Sequence, residues 1–337
     1  MRSAQRSVGI DRARAIAALC VIGLHTGAPG QPADLLQTAV QMGSRWAVPF
    51  FFVVAGYMMS EAERFAVRAG ENGLVRLVRI AVVANLLYWP VAASWAAITH
   101  QPYWPLPRLI AAGTFFHLWF LHGLIVASLL MRLSAGRRWR AVCLVSAAVL
   151  LAGYWVIDLG SVRGWVPYET MILARIMSGT AYVAIGIALR GKHAPAAPAA
   201  LGLLAAGVAF LVVDATLFGV WRDNAARQVF VGVPVLGVAV LLLALCDTAP
   251  AGPLARLGQR DALAIYLLHP LLIVALMVVA RSAPAPIRAL LLNWELRTAV
   301  VMAGTLALVF LLHRFLPAPL RWLNGDWGNA REPALSS

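Results

Sequence analysis

The stretch IDRARAIAALCVIGLH, residues 10–25, joins a basic head to an apolar run that ends on a histidine. Ala15 to Leu24 carries no charge; Asp11, Arg12 and Arg14 stand just before it and His25 just after. A secretory signal would continue into a small-residue cleavage site. None follows, and Asp11 and His25 interrupt that pattern. The run therefore reads as an uncleaved first membrane helix with its N-terminus in the cytoplasm. Arg14 and His25 are eleven positions apart. On a helix that separation is three turns plus about 20°, so both project from one face, about 16 Å apart along the axis. Arginine suits phosphate, because its planar fork donates bidentate hydrogen bonds. Histidine suits proton transfer near neutral pH. Two plainer readings stand beside these: Arg14 as a topology charge paired with Asp11, and His25 as a buried histidine bonding a neighbouring helix.

The rest of the chain repeats the apolar theme. Of its 337 residues 61% are hydrophobic and 12% charged, with a mean hydropathy of +0.78. A soluble domain carries roughly 25% charged residues. Apolar segments fall at about 10–28, 38–60, 80–99, 115–133, 141–158, 171–189, 199–219, 229–246, 262–280 and 297–316, separated by Pro- and Gly-bearing breaks. Their lengths suit a hydrocarbon layer about 30 Å thick. The expectation is an all-α, polytopic membrane helix bundle of about ten transmembrane helices, forming one domain over 1–337. A short arm precedes it at 1–9, and a tail follows at 320–337. The charged stretch 61–79 should lie at the cytoplasmic interface.

The net charge of +14 invites a nucleic-acid partner, but the basic residues form no dense run. They partition instead by side. With the N-terminus inside, 19 of the 28 Lys and Arg fall in cytoplasmic segments and 9, Arg175 and Arg297 among them, in outside segments and flanking helix ends. That bias predicts both termini in the cytoplasm and membrane lipids, not nucleic acid, as the surroundings. Cys20, Cys143 and Cys246 are far apart and fit no metal spacing, so no metal is expected.

Ionisable residues within a bilayer are expensive and are functional candidates by default. His117 and His122 lie five apart, about 140° around a helix axis, so at most one should share a cavity with His25; His117 is preferred. His269 precedes Pro270, which frees backbone groups and often marks a cavity. His313 reads as interfacial. Asp158 and Glu295 fall near predicted outer ends and Asp214 deeper; all three read mainly as solvated at the interface, with contact to sugar hydroxyls as the alternative.

Five stretches, in order along the chain, resemble the membrane acyltransferase-3 family: IDRARAIAALCVIGLH, FFFVVAGYMMS (50–60), RLVRI (76–80), HLWFLHGLI (117–125) and LGQRDALAIYLLHPLL (257–272). The first matches the family's arginine, ten residues, then histidine. The fourth is similar to its sugar O-acetylase branch. Ala55 stands where a small hydroxyl residue usually precedes the glycine, and the acidic pair of another branch is absent from 117–123. The resemblance implies acyl transfer, usually acetyl from acetyl-CoA, to a hydroxyl of a cell-surface, exported or lipid-linked glycan, in a bacterial inner membrane. It implies CoA binding at Arg14, Arg76 and Arg79 and catalysis at His25 with His117 or His122. Substrate contacts are implied at Asp11, Trp119 and His269. His25 would be either the general base on the acceptor hydroxyl or a transient acyl carrier. A competing reading of the same histidines is a multihelix transporter with a proton relay.

Overall fold

A computed structural model describes residues 7–27, 34–59, 73–99, 112–133, 139–191, 195–220 and 229–325. Among these the chain is helical, with no strand. The helices are α1 (Val8–His25), α2 (Leu35–Ser44), α3 (Ala47–Met58), α4 (Gly73–Thr99), α5 (Trp119–Leu133), α6 (Trp139–Val162) and α7 (Tyr168–Leu189), followed by α8 (Ala197–Leu217), α9 (Gly232–Cys246), α10 (Pro253–Arg260), α11 (Ala262–Ser282), α12 (Ala285–Leu292), α13 (Trp294–Phe315) and α14 (Pro317–Leu323). Six of them, α4, α6, α7, α8, α11 and α13, are long and apolar enough to cross a membrane. Helices α5 and α9 are apolar but shorter.

Starts and stops follow local chemistry. Ser7 Oγ accepts from the Ile10 amide at 3.4 Å, Asp34 Oδ1 from Gln37 at 2.6 Å, and Asn293 Oδ1 from Leu296 at 2.9 Å. Each satisfies a donor that the first helical turn leaves open. Proline opens α8, α10, α12 and α14, where its missing N–H costs nothing.

Three departures from the sequence reading matter. The segment expected at 38–60 is two helices, α2 and α3, broken at Arg45 and Trp46. Helix α4 starts at Gly73, so Arg76 and Arg79 ride on its first two turns, ahead of the apolar segment at 80–99. Residues 60–72 of the expected interfacial stretch lie outside the described residues, as do 1–6 of the arm and 326–337 of the tail. Finally, α5 begins at Trp119. His117 is therefore in a turn and does not share a helix with His122.

Helix α1 is the hub, packing on α2, α3, α9, α10, α11 and α13. Small residues permit the close approaches. A Cβ at Gly258 would collide with the Asp11 carbonyl, which brings α10 against α1. A Cβ at Gly56 would strike the Val183 carbonyl, and one at Gly186 the Val53 carbonyl, which locks α3 to α7. In lipid, where apolar surface gains little by leaving the solvent, such tight packing is a main source of helix association.

Candidate active site

The two ends of α1 carry different chemistry. At its N-terminal end a cavity of about 830 Å³ is lined by Arg14, Arg76, Pro253, Arg256, Leu257, Gln259, Arg260, Asp261, Leu263 and Asn324. Among the described lining residues are four guanidinium groups and the Asp261 carboxylate. Arg14 lies 3.7 Å from Asp11, and Arg76 Nε donates to the Asn324 carbonyl at 2.8 Å, tying the end of α14 to α4. Asp261 is buried; it receives Arg260 Nε at 3.2 Å and sits 2.5 Å from His313 Nε2. The surplus of positive charge suits a polyanion such as a nucleotide with several phosphates. Arg79 is not among the lining residues. Nearby, Arg12 pairs with Asp247 across the start of α1 and the end of α9, and its guanidinium holds that carboxyl below the usual carboxylate range.

At the C-terminal end His25 meets two other histidines. Its ring stacks on His269 with centroids 5.6 Å apart and planes at 16°, and meets Phe116 edge-on at 5.0 Å. His117 approaches His269 at 5.9 Å. His25 is half-buried, whereas His117 and His269 are buried, 1% and 0% exposed. Both ring nitrogens of His117 and Nε2 of His269 are buried without a hydrogen-bond partner. Nδ1 of His269 lies 3.3 Å from the Ile265 carbonyl. If that nitrogen carries the proton, the lone pair is left on Nε2. Buried polar atoms are paired in the great majority of cases, and an exception asks for an explanation such as catalysis or an absent ligand. Three orphaned imidazole nitrogens in one cluster are such an exception.

Non-helical backbone and two tyrosines hold the cluster. Gly113 has φ +84°, a left-handed conformation that favours glycine. The Thr114 amide donates to Asn85 Oδ1 at 2.7 Å and Thr114 Oγ1 to the Asn85 carbonyl at 3.1 Å, pinning the turn to α4. Tyr266 donates its hydroxyl to the His117 carbonyl, and Tyr88 donates to the Leu267 carbonyl at 2.6 Å. His122 lies apart, with Nε2 3.1 Å from Asn85 Nδ2, and does not join the cluster.

Around this end the bundle holds further buried polar groups. Asp158 accepts from the Val229 amide at 3.2 Å and Asp214 from the Val231 amide at 3.0 Å. Both carboxylates are buried, which corrects the reading of them as solvated; Glu295 is exposed. Arg297, counted from sequence as an outer flank charge, is 1% exposed and donates to the Thr26 carbonyl just beyond His25. Trp119 packs on Phe52 and carries the Arg175 guanidinium 5.5 Å from its ring centroid.

The sequence reading thus named His25, His117 and His269 at one end, and Arg14 and Arg76 at the other. It missed Arg256 and Arg260, Tyr266, Phe116, Arg175 and Arg297. A signal existed for several. Gln259, Arg260, Asp261, Tyr266 and His269 all lie in LGQRDALAIYLLHPLL, so one motif furnishes a wall of the basic cavity and a member of the histidine cluster. Arg175 is a charge inside an apolar run, the pattern that marks function in membranes.

A family model described as an acyltransferase domain, Acyl_transf_3, matches residues 7–314. No curated protein and no solved structure matches the chain.

Proposed function

Because the chain belongs to the acyltransferase-3 family, and is a membrane acyltransferase, we propose that its donor is a cytosolic acyl-CoA, chiefly acetyl-CoA. Its acceptor is a hydroxyl of a cell-surface, exported or lipid-linked glycan, and its home is a bacterial inner membrane. The observation that carries this reading is the polarity of α1, which joins a cavity with four arginines to a histidine cluster holding three unpartnered ring nitrogens. In the proposed arrangement the phosphates of CoA meet Arg14, Arg76, Arg256 and Arg260. The thioester arm then runs along α1 over the roughly 16 Å between Arg14 and His25.

His25 acts as general base. It is the member of the cluster that is not fully buried, so a substrate hydroxyl can reach it. Its imidazole takes the hydroxyl proton as the oxygen attacks the thioester carbonyl. The carbon–sulfur bond breaks, and the same proton passes to the departing thiolate. His269 holds the His25 ring by stacking, and His117 meets the His269 ring edge-on. Each step of this scheme is carried by protein side chains and the two substrates.

The test uses purified protein in detergent with acetyl-CoA and a panel of envelope oligosaccharides. The expected result is acceptor-dependent release of free thiol with one acetyl mass added to the glycan. Thiol that never appears with any acceptor, together with no CoA binding, would refute the reading and favour the proton-coupled transporter.

A further inference from the structure

The histidine end of α1 holds positive charge that the reaction so far described does not use. Arg175, on α7, lies beside the Tyr154 hydroxyl, and its guanidinium sits 5.5 Å from the Trp119 ring centroid. Its Nη2 is buried and has no hydrogen-bond partner. Among the described residues Arg175 forms no ion pair with a carboxylate. The nearby Asp158 already accepts from the Val229 amide and lies within electrostatic range of Arg45. Arg175 also lies near enough to His25 for its charge to act on the imidazole. Arg175 as a whole is half-buried, but a donor nitrogen shut away from water with no partner is costly unless an acceptor completes it. CoA does not explain it, because the basic cavity for phosphates is at the other end of α1.

We infer that Arg175 is an acceptor-recognition residue, and that the acceptor glycan carries an anionic group, a carboxylate or a phosphate, close to the hydroxyl that is acylated. This rests on the acyl-transfer reading above and names the acceptor class within it. The guanidinium fork matches either anion bidentately. Trp119 and Tyr154 border the guanidinium, so less side-chain freedom is lost on binding than for an arginine in open solvent. The anion also neutralises charge beside His25, which favours a base that must accept a proton.

Two measurements on the full-length protein in detergent separate this inference from the function it rests on. The first is direct binding of glucose, glucuronate and glucose 6-phosphate by calorimetry, with no CoA present. Wild type should bind at least one acidic sugar more tightly than glucose, and the preferred acid identifies carboxylate or phosphate. Arg175→Gln should lower that affinity on the order of thirtyfold or more, the lower range for losing one partner of a buried charge pair. Arg175→Lys, which keeps the charge but not the fork, should fall between. The second is thiol release from acetyl-CoA with matched neutral and acidic oligosaccharides, where the acidic-to-neutral ratio of kcat/KM should collapse in Arg175→Gln. CoA binding by each variant reports that it is folded. Charge-selective binding without thiol release would refute acyl transfer and leave the anion site standing. Thiol release with equal use of neutral and acidic sugars would overturn the anion site and leave acyl transfer standing. Equal losses for glucose and glucuronate in Arg175→Gln would reduce Arg175 to a packing residue.

Discussion

Replacing His25 by alanine separates catalysis from stability, because the two effects differ in size. Among the described residues the contacts of His25 are ring contacts, with His269 and Phe116. Its side chain is half-buried. Truncation should therefore cost about 0.5–3 kcal/mol, the common range for a single substitution, and no buried donor is orphaned by it. Losing a general base costs about 10² to 10⁴ in rate, equivalent to about 2.7–5.4 kcal/mol of barrier. The variant should thus accumulate as folded, monodisperse protein with near-normal CoA affinity and a hundredfold or greater loss of acceptor-dependent thiol release. His25→Gln keeps a hydrogen-bonding head but cannot titrate near neutral pH, so it should be as inactive as alanine. The assay is initial-rate thiol release at saturating acetyl-CoA, normalised to folded protein by CoA binding. A glutamine variant that keeps more than about a tenth of wild-type rate would show that His25 only positions substrate. The base would then have to be His117 or His269, whose unpartnered nitrogens lie in the same cluster.

Other expectations follow from the same geometry. Arg14→Lys and Arg256→Ala should each raise the KM for acetyl-CoA while leaving acceptor binding intact, since both line the basic cavity away from the histidines; equal affinity in both variants would remove CoA from that cavity. Gly258→Val should destabilise by about 1–3 kcal/mol, read as a lower melting temperature, because its Cβ would meet the Asp11 carbonyl. Asp247 is held below its ordinary carboxylate range by Arg12, so its contribution is present at neutral pH and is lost as pH falls through its folded value. The melting-temperature gap between wild type and Asp247→Asn should accordingly shrink between about pH 7 and pH 3; a gap that grows on acidification would contradict the pairing. If both termini are cytoplasmic, a cysteine placed at Ser337 should resist impermeant labelling of intact cells.

Much of the bundle was legible in the chain. Apolar length, breakers and charge placement are one-dimensional properties, and each segment read as apolar contains a helix. The joint face of Arg14 and His25 was legible too, because helical periodicity is local. The break inside 38–60 was not. Thr38, Gln41, Ser44 and Arg45 interrupt the first part of 38–60, but hydropathy averaged over the span does not register a turn at Arg45 and Trp46. Nor was the turn at 112–118, which depends on Asn85 in another helix holding Thr114.

Sequence alone therefore determined that this is a membrane helix bundle, and that one helix carries a phosphate-binding type of residue and a titratable one on a shared face. Only tertiary structure decided which other side chains join them. His269 stacks on His25, and His117 sits beside it, because α11 and the turn ahead of α5 converge on the end of α1. His122, close to His117 in the chain, is left to Asn85. Arg256 and Arg260 reach Arg14 because Gly258 lets α10 approach the α1 backbone. Arg175 differs from the other scattered arginines only in what surrounds it. The physical reason is the same throughout: periodicity sets the face on which a side chain emerges, whereas its partners and its burial depend on helices distant in sequence.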